Sequence, residues 1–197
     1  MENENILNEP AIKYNYLSAE EYLEAERKAE QKNELINGKI ITMTGASLRH
    51  NQIVSNLIRD IAGFLKGKSC NVYPSDLRVN IPLTNSFTYP DLTIVCGKPE
   101  LLDENFDTLL NPSVIIEVLS PSTESYDRGN KFFTYQQILS LKEYILVSST
   151  TVQIQTIIKK DDGLWKFETI TSKAASITIN SIELQILVND IYDEVNF

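Results

Sequence analysis

Two apolar runs, each containing a single acidic residue, constrain the fold of this chain more than any other feature. Asp91 lies in the run 89–96, and Glu117 lies in the run 112–120. Short runs of apolar and β-branched residues bounded by proline or serine are typical of buried strands. Burying a carboxylate costs free energy unless it is paired, hydrogen-bonded or bound to a cation. The two acids therefore predict a shared site for one divalent metal ion on successive strands, and an enzyme is the first hypothesis.

Length and composition predict one globular domain. The chain has 197 residues, of which 42% are hydrophobic, and this content is sufficient for a core. We expect a flexible lead-in over residues 1–16 and a single domain over residues 17–197. No apolar stretch approaches the roughly 20 residues that span a bilayer, and residues 1–8 contain no stretch of the signal-peptide type. A cytoplasmic location is therefore expected.

The net charge and the cysteine count limit the possible partners. A net charge of −9 counts against generic binding of nucleic acid, which depends on lysine and arginine neutralising phosphates. It does not exclude a local basic cleft, because bound metal ions can supply part of the positive charge. The two cysteines, Cys70 and Cys96, are too few for a disulfide framework or a zinc site. We expect both to be buried thiols.

The N-terminal third contains three strong local signals. Ser18 and Glu21 match a capping box, which predicts a helix that continues to about Gln31. Asn37-Gly38 lies between two apolar segments and predicts a β-hairpin, since both residues tolerate positive φ. Apolar residues at helical spacing predict a second helix over 47–66.

Strands dominate the rest of the chain. We expect strands at 70–74, 77–83, 89–96, 113–119, 143–148 and 177–179, a helix over 127–140 and a short helix over 187–192. A second hairpin is expected from 152–158 and 164–171, with Asp162-Gly163 at its turn. The order predicts a mixed α/β (α+β) fold with a central mixed β-sheet flanked by helices, and with added N-terminal and C-terminal β-hairpins.

Short motifs occur in a fixed order along the chain, at residues 34–40, His50, residues 75–79, 90–92, 116–123 and 127–131, Tyr135 and residues 143–144. This ordered set resembles the PD-(D/E)xK nuclease superfamily and, more specifically, the Uma-two family of restriction-endonuclease-like proteins. The resemblance covers roughly residues 17–190 and implies a restriction-endonuclease-like core.

The resemblance also implies roles for individual acids. Asp91 corresponds to the acid of the Pro-Asp element, and Glu117 corresponds to the acid of the (D/E)xK element. Both are expected to bind Mg²⁺ or Mn²⁺, with the backbone carbonyl of Val118 as a further ligand, and Glu34 is expected to support the site. Such a site would hydrolyse phosphodiester bonds of nucleic acid, with DNA as the expected partner.

The lysine of the (D/E)xK element is missing from the strand. The residue two positions after Glu117 is Leu119. A positive group is still needed near the attacking water and the phosphate. Lys131, on the following helix, is the expected substitute. It reaches the site only if that helix packs against the end of the Glu117 strand.

The four catalytic candidates also have structural interpretations. Asp91 can cap a loop, and Glu117 can form an ion pair with Arg78 or Lys131. Lys131 can be a solvated surface residue, and Glu34 can belong to the edge of the hairpin. The sequence leaves these alternatives open.

Four basic residues are possible substrate contacts. Arg49 and the single histidine, His50, lie near the start of the second helix, and a lone histidine is more often structural than functional. Arg78 shares a strand face with Asp76, and Arg128 follows Asp127 at the expected start of the third helix. Asp127 itself is explained by the favourable position of an acid at a helix N-terminus.

Other functions remain open at this stage. The fold could serve as a catalytically inactive module that binds nucleic acid or protein, and the acidic charge and Leu119 favour this alternative. A hydrolase of small phosphate compounds is a third option, although no Gly-rich phosphate loop is present. A homodimer is expected, since restriction-like nucleases often use two copies to cut two strands.

Overall fold

The computed structural model describes residues 16–197, so the lead-in expected over 1–16 lies, except for Tyr16, outside the described residues. The helices are α1 (Ala19–Glu26), α2 (Leu48–Leu65), α3 (Glu124–Tyr126), α4 (Phe132–Tyr135) and α5 (Val188–Ile191), with a π-helix at Asp127–Lys131. The strands are β1 (Asn33–Ile36), β2 (Lys39–Thr42), β3 (Cys70–Pro74), β4 (Arg78–Ile81), β5 (Ser86–Thr88), β6 (Leu92–Cys96), β7 (Thr108–Leu109), β8 (Val114–Leu119), β9 (Glu143–Ser148), β10 (Ile154–Lys159), β11 (Trp165–Ile170), β12 (Ser176–Ile179) and β13 (Leu184–Leu187).

A six-stranded mixed sheet is the centre of the fold. Its strand order is β11-β10-β9-β8-β6-β3. Strands β8 and β9 are parallel, and the other neighbours are antiparallel. The expected mixed α/β class is confirmed. The second hairpin, β10–β11, lies at one edge of this sheet as expected.

A five-stranded sheet, in the order β2-β1-β5-β4-β7, carries the N-terminal hairpin. The hairpin is confirmed, with Asn37 at φ 49° and Gly38 at φ 78° in its turn. A two-stranded sheet pairs β12 with β13. Three strands were missed by the sequence patterns because they contain only two to four residues: β5, β7 and β13.

Residues of β8 alternate between the two faces of the central sheet, as the period of a strand requires. Val114, Ile116 and Val118 join the cluster beneath α2 and the C-terminal segment. Ile115 and Leu119 join the opposite cluster, which contains Phe132 and Tyr135 of α4. Glu117 has the same parity as Ile115 and Leu119, so its carboxylate faces the helical segment 124–135.

The helical segment 124–135 differs from the predicted helix over 127–140. It begins at Glu124, passes through a π-helix and ends at Tyr135. Asp127 is therefore the first residue of the π-helix that carries Lys131, as expected, but the fourth residue of the continuous helical segment. A π-helix widens the turn and is frequent at functional sites. Lys131 is the last residue of this widened turn.

The expectation of two free thiols is wrong. Cys70 of β3 and Cys96 of β6 are directly opposite each other and form a disulfide. Antiparallel partners bring their Cβ atoms close together, which is why two cysteines on neighbouring strands can pair. The sequence did not predict that β3 and β6 would be neighbours in this register.

Candidate active site

Asp91 and Glu117 are held side by side at one end of the central sheet. Leu92 of β6 is paired with Ile116 of β8 in antiparallel register, which places Asp91 opposite Glu117. The backbone N–H of Asp91 donates to Oε2 of Glu117 over 3.3 Å, and the N–H of Val118 donates to Oδ2 of Asp91 over 2.7 Å. Each carboxylate is therefore positioned by the backbone of the other strand.

Lys131 is buried among carboxylates rather than solvated. Only 5% of the residue is exposed. Its Nζ lies 2.9 Å from Oε1 of Glu117, 3.1 Å from Oε1 of Glu34 and 3.7 Å from Oδ1 of Asp127. The surface interpretation of Lys131 is wrong, and the helical segment does pack against the strand of Glu117.

The pKa values of Glu117, Lys131 and Asp127 are all raised, by burial for the two acids and by the neighbouring charges for the lysine. Burial is the main cause that raises the pKa of Glu117; Lys131 opposes this shift, whereas Asp127, Asp91 and Glu34 add to it. Burial disfavours the charged form of Lys131, but Glu117, Glu34 and Asp127 raise its pKa well above the usual value. Burial also raises the pKa of Asp127. The lysine thus stays positively charged.

Glu34 and Tyr135 support the cluster from two sides. Glu34 is buried, and its Oε1 accepts a hydrogen bond from the backbone N–H of Tyr89 over 2.9 Å. The hydroxyl of Tyr135 donates to Oε1 of Glu117 over 2.9 Å and lies 3.1 Å from Oγ1 of Thr88. Oε1 of Glu117 therefore contacts both Lys131 and Tyr135.

His50 reaches the site from the start of α2. Its backbone N–H donates to the Oγ of the N-cap residue Ser47. Its Nε2 lies 3.1 Å from Oδ2 of Asp91. His50 therefore contacts the acid pair directly, whereas the neighbouring residue Arg49 is exposed and lines an adjacent cavity.

Two predicted substrate contacts are not brought to the site. Arg78 is only 3% exposed and forms an ion pair with Asp107. Arg128 forms an ion pair with Glu124 over 2.8 Å and a hydrogen bond to Gln155 over 3.0 Å. Because neither side chain lines the pocket of the acid pair, we remove both from the substrate contacts. The alternative ion pair of Glu117 with Arg78 is excluded as well.

The acid pair opens into a pocket of about 690 Å³. Its charged lining comprises four carboxylates and two lysines, so four ionised acids would leave an excess of two negative charges. One of the lysines, Lys32, forms an ion pair with Asp76. The charged residues of the lining are Lys32, Glu34, Asp91, Glu117, Asp127 and Lys131.

The donor set of the pocket fits a hard divalent cation. Mg²⁺ is commonly bound by one or two protein carboxylates and retains several waters. Across residues 16–197, no group of three or more His, Cys, Asp or Glu side chains converges as a ready-made metal cage. Two buried polar atoms in the same range lack a hydrogen-bond partner, Nδ1 of His50 and the hydroxyl of Tyr126, and both residues line this pocket. Both atoms are therefore without a partner among the described residues.

Asp127 and Tyr126 are site residues that the sequence patterns did not identify. Asp127 precedes Lys131 by four residues, the spacing at which side chains of one helix face meet. That spacing was the available signal for Asp127. For Tyr126 no comparable signal exists in the sequence.

Comparisons with known proteins give a consistent result. The model of the Uma2 family, described as "Putative restriction endonuclease", matches residues 19–189. A protein of Synechocystis sp. (strain ATCC 27184 / PCC 6803 / Kazusa), "Uncharacterized protein slr1290", is 38% identical over 194 residues, which are 98% of this chain and 100% of that protein. A second protein of that organism, "Uncharacterized protein sll1609", is 32% identical over 168 residues, or 85% and 95% of the two chains.

A solved structure shares the fold. It is the crystal structure of "a putative nuclease belonging to DUF820" from Anabaena variabilis ATCC 29413, with a TM-score of 0.75 and 19% sequence identity. The match covers 91% of this chain and 99% of the other. The fold is therefore nuclease-like. Within residues 16–197, no helix has the length and apolar character that crossing a membrane requires.

Proposed function

The chain belongs to the Uma2 family, and on that premise we propose that it is a metal-dependent endonuclease that hydrolyses phosphodiester bonds of DNA. One observation carries the proposal: the ammonium of Lys131 lies 2.9 Å from Glu117, which is itself paired with Asp91 across two strands. This arrangement supplies two carboxylates and one cation in a single pocket, although the strand contains Leu119 where its lysine was expected.

Asp91 and Glu117 are the residues that would hold Mg²⁺ or Mn²⁺, with the backbone carbonyl of Val118 beside them. When bound, such an ion lowers the pKa of a coordinated water and stabilises charge on a phosphate. With its four carboxylates ionised, the pocket would favour a divalent cation. The chain's net charge of −9 opposes the approach of a phosphate, and a bound cation would reduce this repulsion.

The remaining side chains prepare the pocket for hydrolysis. Lys131 stays protonated and stabilises negative charge on the nucleophile and the phosphate. Glu34 and Asp127 hold its ammonium, while Tyr135 orients Glu117 through a hydrogen bond. His50 fixes the orientation of Asp91 through Nε2. Groups held in this way need little rearrangement when the substrate binds.

The proposal also includes the oligomeric state of the protein and its location in the cell. Because one site cuts one strand, cleavage of a duplex requires two copies, and we propose a homodimer. A cytoplasmic location would place the protein beside its substrate. Size-exclusion chromatography with light scattering tests the first point, and cell fractionation tests the second.

The catalytic proposal is tested by cleavage assays on single- and double-stranded DNA and RNA with Mg²⁺, Mn²⁺ or EDTA. We expect metal-dependent cleavage by the wild type and a loss of about 100-fold or more in Asp91→Asn and Glu117→Gln. The matched control is Asp161→Asn, at an exposed turn residue of the β10–β11 hairpin, which should cleave like the wild type. Absence of metal-dependent cleavage, or equal activity in Glu117→Gln, would contradict the proposal.

A second candidate function is favoured by one observation. Lys131 already compensates Glu117 and Glu34 within the chain itself, so the cluster could be a structural ion-pair network in an inactive binding module. Thermal unfolding with and without Mn²⁺ distinguishes the two functions. A ligand that binds only the folded state raises the melting temperature by mass action, so an enzyme should be stabilised and an inactive module should not.

A further inference from the structure

A second cavity adjoins the pocket of the acid pair. Its volume is about 450 Å³, and it shares two lining residues, Ser47 and Pro121, with that pocket. Ser47 is the N-cap of α2, and Pro121 follows the end of β8. The two cavities therefore lie side by side at the start of α2, with Ser47 and Pro121 at their common border.

The lining of this second cavity contains one arginine that is free to bind a ligand. Of the five arginines, all of which lie within residues 16–197, four form ion pairs with carboxylates, and Arg49 is the exception. Arg49 is exposed and lines the second cavity, but it does not line the pocket of the acid pair. An unpaired arginine in a concave site is well suited to bind a phosphate group.

Neutral polar residues line the cavity together with Arg49. Gln52 lies three residues after Arg49 on α2, and Ser149 and Thr150 follow the end of β9. The amide of Gln52 donates to Asn56 and the hydroxyl of Ser149 donates to the carbonyl of Leu119, so Arg49 is the charged donor available to a phosphate oxygen. One acid, Glu194, also lines the cavity and opposes an anion there.

A polymeric substrate needs such a neighbouring site. When one phosphodiester lies beside Asp91 and Glu117, the chain of nucleotides must continue across the surrounding surface. The second cavity is the concave surface that borders the pocket at Ser47 and Pro121. A small phosphate compound would occupy the pocket alone and would not reach Arg49.

We propose that the second cavity is a binding subsite for a flanking phosphodiester of the nucleic-acid strand, and that Arg49 is its phosphate ligand. The inference rests on the proposed function and deepens it, since it places a strand-binding residue outside the position where the diester is cleaved. It also assigns the two residues at the start of α2 different tasks: His50 orients Asp91, and Arg49 binds the strand outside the reacting position.

The test compares Arg49→Gln with Arg59→Gln, a control on the same helix whose arginine is exposed and paired with Asp60. Binding of a fluorescent single-stranded 20-nucleotide DNA is measured by anisotropy in Ca²⁺ at several salt concentrations. Arg49→Gln should weaken binding about 10-fold and reduce the slope of log K against log salt by about 0.7, the value for one phosphate contact on a single strand. Arg59→Gln should leave the affinity for DNA and the salt slope unchanged.

Two further measurements separate the subsite from the reaction. Glu194→Gln removes the acid of the same cavity and should tighten DNA binding, the opposite of Arg49→Gln. Hydrolysis of bis(p-nitrophenyl) phosphate, a diester with no flanking nucleotide, should fall much less in Arg49→Gln than cleavage of DNA does. An equal loss of both activities in Arg49→Gln would show that Arg49 acts on the reaction instead, and would overturn the subsite.

The outcomes distinguish failure of the subsite from failure of the function. If wild type binds and cleaves DNA but Arg49→Gln binds equally well with an unchanged salt slope, the subsite is wrong and the nuclease proposal stands. If wild type hydrolyses the small diester but neither binds nor cleaves DNA, the polymeric substrate is wrong. If wild type shows neither activity nor DNA binding, both proposals are overturned.

Discussion

The ammonium of Lys131 lies 2.9 Å from Oε1 of Glu117, although Glu117 belongs to β8 and Lys131 ends the π-helix that follows α3. Leu119 lies two residues after Glu117 on the same face of the strand, and its side chain is buried in the core. The helical segment 124–135 thus provides the positive charge that the strand lacks.

Lys131 should contribute more to stability than the acids that surround it. Lys131→Met leaves Glu34, Glu117 and Asp127 close together without a compensating charge, and breaking a buried ion pair in this way costs about 3–5 kcal/mol. Glu117→Gln should cost much less, because Lys131 keeps its contacts with Glu34 and Asp127. Urea unfolding at pH 7 measures the free energy of unfolding of both variants. A larger loss for Glu117→Gln than for Lys131→Met would contradict this account of the cluster.

Tyr135 should affect catalysis in addition to stability. Tyr135→Phe removes the hydrogen bond to Glu117 and should lower both the free energy of unfolding by about 1 kcal/mol and the cleavage rate by about 10-fold. The matched control is Tyr22→Phe, since the buried hydroxyl of Tyr22 donates to the backbone carbonyl of Asn33. Tyr22→Phe should lose similar stability and retain the rate. Equal rates for the two variants would show that Tyr135 has only a structural role.

Asp107 should make the fold sensitive to acid. Hydrogen bonds from Arg27, together with those from Arg78 and Thr108, hold the pKa of Asp107 well below its usual range despite partial burial. Because the folded-state pKa is depressed, the stabilisation is present above the unfolded pKa of about 4 and is lost as the pH falls below it.

The measurement is the free energy of unfolding by urea between pH 2 and pH 7, for wild type and Asp107→Asn. The wild type should lose stability more steeply below pH 4, whereas the variant should be less stable at pH 7 and less dependent on pH. Parallel curves for the two proteins would show that Asp107 does not cause the acid sensitivity.

The disulfide should stabilise the central sheet. It closes a separation of 26 residues between Cys70 and Cys96, and in the chain-entropy model a loop of that size contributes roughly 3–4 kcal/mol. Reduction with dithiothreitol should lower the melting temperature of the wild type and leave that of a Cys70→Ser, Cys96→Ser double variant unchanged. The same melting temperature with and without reductant in the wild type would exclude a stabilising disulfide.

The sequence predicted those parts of the fold that depend on local signals. The capping box at Ser18, the Asn37-Gly38 turn and the long amphipathic helix α2 are determined by neighbouring residues, and all three are confirmed. Helix α1 ends at Glu26, short of the predicted end, and the carboxylate of Glu26 there accepts a hydrogen bond from the hydroxyl of Tyr89, 63 residues further along the chain. Long-range contacts of this kind are not visible in a local pattern.

In the candidate site, too, local sequence signals were predictable and long-range contacts were not. Asp91 and Glu117 stand out because an acid in an apolar run is costly, and that argument requires no tertiary structure. Their register, the burial of Asp127 and the disulfide depend on which strands and helices become neighbours. Arg78 was predicted to contact substrate because it shares a strand face with Asp76. In the fold it forms an ion pair with Asp107, which precedes β7. The sequence patterns do not show which strands, helices and loops become neighbours in the fold.

The central claim is that Asp91 and Glu117 share one divalent cation beside Lys131, and anomalous diffraction from crystals soaked in Mn²⁺ tests it most directly. The account predicts a single strong anomalous peak within coordination distance of carboxylate oxygens from both Asp91 and Glu117, with the Lys131 ammonium next to it. No peak between the two carboxylates at saturating Mn²⁺, with Lys131 still paired to Glu117 and Glu34, would contradict the account.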